Sequence, residues 1–397
     1  MLEDESGRLR LIGTPLNSEM LVTGCIIAVM GTENANGDFE VVDIKVPDLP
    51  PQQTRWTKSE APESTKALKE ERNVKRAKLM DEDVDMDKPL PGSGSKIAIV
   101  SGLGISGTSM SHSLQLNLLM EYLLGEALDP ASQIATSQIS RLIVAGNSIA
   151  SDIDPAVQDS IGNTRKAQKK YGYDSSAFNP APTTHLDQFL STVLTSMPVT
   201  LIPGASDPAN VSLPQQPIHS AMFPHSRAYA ATPLTDTNSE QIPGWFDAVT
   251  NPWDGEVEGW NILGTGGQNV DDVFKYVESE DRLRMMEAMC RWRCIAPTAP
   301  DTLCKIWRVH FTSNANYVLG SYPFQDDDPF VMSSCPHLFF VGSQPKFDTA
   351  VIQGPEGQAV RLIAIPKFSE TGEIVLVDSE TLEVERIKIE IFDSTIT

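Results

Sequence analysis

Positive charge is in short supply in this chain of 397 residues: 31 lysines and arginines stand against 53 aspartates and glutamates, a formal charge of −22. A field of that sign repels a phosphate backbone at long range, which argues against tight direct binding of DNA. Long apolar runs are missing too. No segment approaches the roughly 18 to 20 residues that a membrane-spanning helix requires, and the acidic opening Met1-Leu2-Glu3-Asp4-Glu5 does not read as a signal peptide. A soluble, intracellular protein without membrane attachment is the expectation. Cysteine is sparse, and the five residues Cys25, Cys290, Cys294, Cys304 and Cys335 are expected to be reduced thiols rather than a disulfide framework. A helix would set Cys290 and Cys294 on one face, but no second Cys/His pair follows at zinc-finger spacing, so packing is the expected role of both.

What is present suffices for a substantial core: 40% of residues are hydrophobic, and the length suggests two or three domains. Residues 1–50 read as short strands at 8–12, 21–30 and 39–46, with a turn at Asn34-Ala35-Asn36-Gly37, as in part of a small barrel or sheet. Over 51–95 the composition shifts to Pro, Lys, Glu, Asp and Ser, with an acidic run at 81–87, which predicts a disordered linker or inserted loop. Within it, Arg72-Asn73-Val74-Lys75-Arg76-Ala77-Lys78-Leu79 is a basic cluster that an import receptor could read, or simply a solvated helix. From residue 96 onward, apolar runs at 97–100, 141–145 and 199–202 end in glycine turns and alternate with helical stretches at 114–124 and 186–195. Beyond them come a run at 261–263, a helix over 271–293, a run at 338–341 and strands near 360–365, 374–377 and 386–391. Strand, glycine turn and helix in repetition predict an α/β sheet with a row of loops at the carboxyl ends of its strands.

The loop Ser101-Gly102-Leu103-Gly104-Ile105-Ser106-Gly107 satisfies G-x-G-x-x-G in the setting of a dinucleotide-binding turn. That fingerprint also asks for an acid at the end of the next strand, where this chain has Gly146-Asn147; Glu121 has about the right offset but belongs to a helix. The plainer reading is a glycine turn that lets the chain reverse sharply.

A second chemistry matches the whole row of loops. In a binuclear metallophosphoesterase, strand ends supply carboxylates and imidazoles to two cations that activate a water. The signals D-x-H, G-D, G-N-H-D, a lone His and G-H-x-H have their framework here without their ligands. The D-x-H positions are Gly102 and Gly104, the G-D aspartate is Asn147, and G-N-H-D reads Gly204-Ala205-Ser206-Asp207. The lone-His loop reads Gly264-Thr265-Gly266-Gly267-Gln268-Asn269, and the last motif reads Gly342-Ser343-Gln344-Pro345. Only Asp207 keeps an acid, and cations there would be largely undercoordinated. Gly102, Gly104, Asn147, Ala205, Ser206, Asp207, Ser343 and Pro345 are therefore expected to mark a former site that holds no metal, binds no cofactor and performs no catalysis.

Twelve blocks, in order, carry a resemblance: LEDESGRLRL, TGCIIAVMG, IVSGLGISG, RLIVAGN, PVTLIPGASDPAN, LPQQPIHSAMFP, TNPW, LGTGGQNVDDVFKY, APTAPDTL, YPFQDDDPFV, CPHLFFVGSQPKF and IQGPEGQAVRLIAIP. The chain resembles the small accessory B-subunits of eukaryotic replicative DNA polymerases, those of DNA polymerase delta in particular. The resemblance implies an α/β (α+β) fold: a calcineurin-like phosphodiesterase sandwich, catalytically degenerate, at 96–397, with a partial OB-type β-barrel at 1–50 and the linker between. It further implies a nuclear, non-catalytic scaffold in DNA replication and repair. Such a scaffold holds the catalytic subunit through that subunit's cysteine-rich C-terminal module, together with a third accessory subunit, and reaches the sliding clamp and DNA indirectly.

Two departures from the pattern stand out. The chain begins inside the family's barrel, so the first barrel strands are expected to be missing. Residues 304–321 separate Asp301-Thr302-Leu303 from Tyr322-Pro323-Phe324 and read as a translated intron, in which Trp307 and His310 carry no function. His219 is expected to pack or cap, whereas Trp245, Trp253 and Trp260 suit either interface anchors or core. An active metal-dependent phosphodiesterase is the alternative reading, ahead of a nucleotide-binding oxidoreductase.

Overall fold

A computed structural model describes residues 1–4, 7–17, 19–55, 95–107, 113–126, 129–150, 179–231, 244–299 and 328–391. Strand β1 (Leu2–Asp4) pairs antiparallel with β2 (Gly7–Leu9). The short β3 (Leu11–Ile12), β4 (Ala28–Glu33) and β5 (Phe39–Lys45) make a three-stranded sheet in the order β3-β5-β4. The expected turn joins its antiparallel pair, with Asn34 Oδ1 accepting the N–H of Asn36 at 2.9 Å and of Asp38 at 3.0 Å. The strand expected over 21–30 begins only at Ala28, because the apolar residues before it make tertiary contacts instead. Met20, Val22 and Cys25 pack on the main body, and a Cβ on Gly24 would lie 1.8 Å from the Pro297 carbonyl oxygen.

The main body is built from strands whose residues are apolar on both faces, as suits parallel strands covered on each side. The first sheet contains β6 (Lys96–Val100), β7 (Ile139–Ala145), β8 (Val199–Ile202) and β9 (Phe246–Ala248), all parallel neighbours. The second contains β10 (Trp253–Val257), β11 (Trp260–Thr265), β12 (Leu338–Gln344), β13 (Asp348–Gln353) and β14 (Ala359–Pro366), in the order β10-β11-β12-β14-β13. The first sheet is completed by β15 (Glu373–Asp378), antiparallel to β6, and β16 (Val384–Lys388), antiparallel to β15.

Alternation along each strand sorts its side chains into layers. Ile97, Ile99, Ile143 and Ile202 of one sheet meet Ile262, Leu338, Phe340 and Ile363 of the other in a core between the sheets. On the outer face of the first sheet, Val100, Leu142 and Leu201 pack under helices α1 (Ser113–Leu124), which follows β6, and, after α2 (Pro130–Ser137), α3 (Ala181–Val193). On the outer face of the second, Phe339, Val341 and Leu362 pack under α4 (Gln268–Phe274) and α5 (Arg282–Arg291). The result is helix, sheet, sheet, helix. Each fully buried Phe or Ile contributes about 1.5–3 kcal/mol relative to exposure, so this layering dominates the stability.

The helix expected over 271–293 is in fact α4 and α5. Asp281 leaves the helical conformation and its carboxylate accepts the Arg284 N–H at 3.0 Å, an N-cap that starts a new helix. Because α5 ends at Arg291 and Arg293 turns with φ 56°, Cys294 lies beyond the helix rather than on one face of it with Cys290. Both still pack, Cys290 fully buried in the second sheet's outer core. Trp245, Trp253 and Trp260 are all partly buried against the cores, which makes packing their observed role.

Residues 47–55 form a strap across the amino ends of β12 and β14. The Arg293 guanidinium donates to the Pro47, Asp48 and Leu49 carbonyls, and Gln52 Nε2 donates to Pro336 O at 3.1 Å and Ala359 O at 2.8 Å. Arg55 lies 4.2 Å over the Trp260 ring and donates to Ser379 O at 2.8 Å. Most of the expected linker, with its basic cluster, and all of 304–321 lie outside the described residues.

Candidate functional site at the carboxyl ends of the parallel strands

The parallel strands of both sheets end on one side, and their loops meet there backbone to backbone. A Cβ on Gly342 would stand 2.1 Å from Ala145 O, so β12 and β7 approach this closely only through glycine. Ser101 Oγ stitches the same junction, donating to Ala145 O at 2.5 Å and accepting the Ser343 N–H at 2.8 Å.

Gly102 and Gly104 both hold φ +61°. Side chains at these positions would have no room: a Cβ on Gly102 would lie 2.7 Å from Lys367 Cβ, and one on Gly104 2.9 Å from Ser369 Cβ. The segment after β14 presses onto the loop, with Phe368 N–H donating to Ser101 O at 2.7 Å and Ser369 N–H to Gly102 O at 3.0 Å. The amides of Gly102, Gly104 and Ile105 donate to the carbonyls of Gly146, Asn147 and Ser148 at 2.9, 3.3 and 2.9 Å. A dinucleotide turn needs such amides aimed at phosphate, and these are committed to the neighbouring loop.

Asn147, Ser206, Asp207 and Ser343 converge as one hydrogen-bonded latch. Asn147 Nδ2 donates to Ser343 Oγ at 2.8 Å, while its Oδ1 accepts the Ser206 N–H at 3.1 Å. Ser206 Oγ donates to Ile149 O at 2.5 Å. Asp207 is 7% exposed, and both of its oxygens are occupied: Oδ1 accepts Ile149 N–H at 2.9 Å and Oδ2 accepts Gly204 N–H at 2.7 Å. Burial pushes its pKa up, against backbone donors that pull it down. Ala205 and Pro345 are exposed beside the latch.

The loop in the lone-His position supplies amides. Gln215, Asn251 and Gln268 form a buried triangle: Asn251 Nδ2 donates to Gln215 Oε1 at 2.8 Å and to Gln268 Oε1 at 3.0 Å, and Gln268 Nε2 donates to Gln215 Oε1 at 2.9 Å. Gln215 Nε2 returns to Gly204 O at 3.2 Å, and Asn251 Oδ1 accepts Gly266 N–H at 3.1 Å, so the triangle braces two loops. Reading by motif missed Ser101, Gln215 and Asn251; the only signal was their place inside or beside quoted blocks. His219 caps a short turn, its Nδ1 accepting the Ala221 N–H at 3.1 Å. Among the described residues no three His, Cys, Asp or Glu side chains cluster as cation ligands. Chemically, these loops can fasten strands together; among their described residues no nucleophile stands beside a base.

The family model for the B-type subunits of DNA polymerases alpha and epsilon matches residues 97–349, and that for the OB-fold domain of the DNA polymerase delta subunit matches residues 1–44. The chain is 36% identical to the DNA polymerase delta small subunit of Arabidopsis thaliana over 96% of this chain and 70% of that protein. It is 34% identical to the small subunit of Saccharomyces cerevisiae over 98% and 70%, and 29% identical to DNA polymerase delta subunit 2 of Drosophila melanogaster over 98% and 73%. The similarity to these relatives covers nearly the whole chain, and the chain belongs to the DNA polymerase delta small-subunit family.

Proposed function

We propose that this chain is a non-catalytic accessory subunit of the DNA polymerase delta complex. In this reading, 96–397 is a calcineurin-like phosphodiesterase sandwich whose former ligand positions now serve the fold, and 1–50 is a partial OB-type domain joined to it through 51–95. The eight positions Gly102, Gly104, Asn147, Ala205, Ser206, Asp207, Ser343 and Pro345 are the remains of the metal site. One observation carries the proposal: Asp207, the acid left at these strand ends, has both oxygens taken by backbone N–H groups. A carboxylate so engaged has little left to offer a cation.

The subunit acts as a scaffold in the nucleus, in replication and repair. It holds the cysteine-rich C-terminal module of the catalytic subunit and a third accessory subunit, and meets the clamp and DNA only through them. The net charge of −22 supports indirect rather than direct contact with DNA. Coexpression with the catalytic subunit's C-terminal module tests the role: copurification as a stable complex is expected, and its absence would leave the scaffold reading without a partner. Incubation of the purified chain with manganese and a nitrophenyl phosphodiester tests the non-catalytic part. Turnover that disappears in Asp207→Ala would overturn it.

A further inference from the structure

The two sheets of the main body have four edge strands, and three are guarded against pairing with another chain. β9 is only three residues long, β10 carries Asp254 and Glu256, and β16 carries Glu385, Arg386 and Lys388. The fourth is different. β13 reads Asp-Thr-Ala-Val-Ile-Gln, with no lysine, proline or bulge, and it pairs with β14 in unbroken register along its whole length. Val351 near its middle is 48% exposed. Among the described residues no strand pairs with its outer side.

A groove of about 600 Å3 lies between this edge and α5. Leu283 and Ile352 supply apolar surface, and Glu280, Asp281 and Glu287 line the helix side; in all, four acids and two bases face the groove. Glu280 is exposed and has no ion-pair partner among the described residues. An unguarded edge offers main-chain hydrogen bonds, and the adjoining groove offers side-chain selection, which together are what strand addition requires.

We propose that β13 and this groove form a docking site for an extended segment of a partner polypeptide, which adds as a further strand. Its alternate side chains point to opposite faces: basic ones enter the groove, their stems against Leu283 and Ile352 and their charge facing Glu280, and apolar ones pack beside the exposed Val351 on the other face. The proposal stands independently of the scaffold reading above, since it concerns only this edge.

The test uses the full chain with a capped octapeptide of alternating lysine and valine, at about millimolar concentration to reach weak binding, read by hydrogen exchange at residues 348–353. The expected result is slowed exchange there, weakened by salt and by Glu280→Lys. A glutamate–valine octapeptide, and a lysine–valine peptide N-methylated on alternate backbone nitrogens, should give little protection; this comparison needs no variant. Equal protection by the N-methylated peptide would overturn strand addition, and equal protection by the glutamate peptide would overturn the basic partner. No protection by any peptide, or outer amides already protected in the chain alone, would overturn the site itself.

Discussion

Asn147, in the loop after β7, and Ser343, near the end of β12 in the other sheet, both have positive φ (53° and 56°), and a 2.8 Å hydrogen bond from Asn147 Nδ2 to Ser343 Oγ joins them. Asparagine tolerates left-handed backbone better than most residues and carries both a donor and an acceptor. An aspartate would keep the acceptor for Ser206 and lose the donor for Ser343. In the reading proposed above, in which Asn147 takes the place of the G-D aspartate, the residue there is thus one that suits a latch.

Asn147→Ala removes the hydrogen bonds to Ser343 and Ser206 and places a β-carbon without compensation at positive φ, so a loss of about 2–3 kcal/mol is expected. Asn147→Gly, which relieves the backbone, should lose less. Urea unfolding of the two variants separates the contributions, and an alanine variant as stable as the parent would show that the latch bears no load.

On the proposal that Gly102 and Gly104 are former ligand positions, placing ligands there should not create a metal site. Gly102→Asp with Gly104→His puts side chains at φ +61° against Lys367 and Ser369, at roughly 1–2 kcal/mol per position from backbone strain alone. The expected outcome is a lowered urea midpoint and no manganese binding by calorimetry. Tight binding at unchanged stability would show that the loop can reopen.

Two buried groups should give pH dependences of opposite sign. The Asp207 carboxyl is raised from 3.8 by burial, so the folded state holds its proton more firmly than the unfolded chain. Its contribution to stability falls as pH rises from 3.8 through the folded value. His337 is lowered from 6.5, first by burial and also by the nearby Arg55 charge, while its Nδ1 accepts the Asn261 N–H at 3.1 Å. Its contribution is complete above 6.5 and is lost as pH falls through the folded value. Urea titrations across pH 4 to 8 (a range of about four units) should show the advantage over Asp207→Asn shrinking with rising pH, and the advantage over His337→Gln growing.

Burial raises the thiols of Cys25 and Cys335 to about 11 and that of Cys294 to about 12, and pushes Cys290 higher still. The thiolate is the nucleophile, so iodoacetamide at mild alkaline pH should label these four slowly in the folded chain and fully in urea. Peptide mass spectrometry reads each site separately, and rapid labelling of Cys25 in the native protein would place it outside the contact with the main body.

Strands buried on both faces were legible in the sequence. The run expected at 199–202 is β8 to the residue, and those at 97–100 and 141–145 lie within β6 and β7, because short apolar runs rich in β-branched residues and closed by glycine turns suit strands covered on both faces. The break between α4 and α5 was not, since Glu278 and Glu280 suit a helix by propensity, whereas in the structure the Asp281 N–H donates to Ser279 Oγ and the Asp281 carboxylate accepts the Arg284 N–H to start a new helix. The strand expected over 21–30 is observed only from Ala28, for the opposite reason: Val22 and Cys25 answer to the second sheet's core, and Gly24 lies against the distant Pro297.

For the site, residue identity alone determined that imidazoles and all but one carboxylate are missing from the strand ends, because ligand chemistry is a property of side chains. What only the tertiary structure decided is what fills their place. Lys367 and Ser369 close over Gly102 and Gly104, Gln215 and Asn251 brace the neighbouring loops, and backbone amides take both oxygens of Asp207. Those partners come from separate segments of the chain, and no local pattern records a contact that exists only once both sheets have packed.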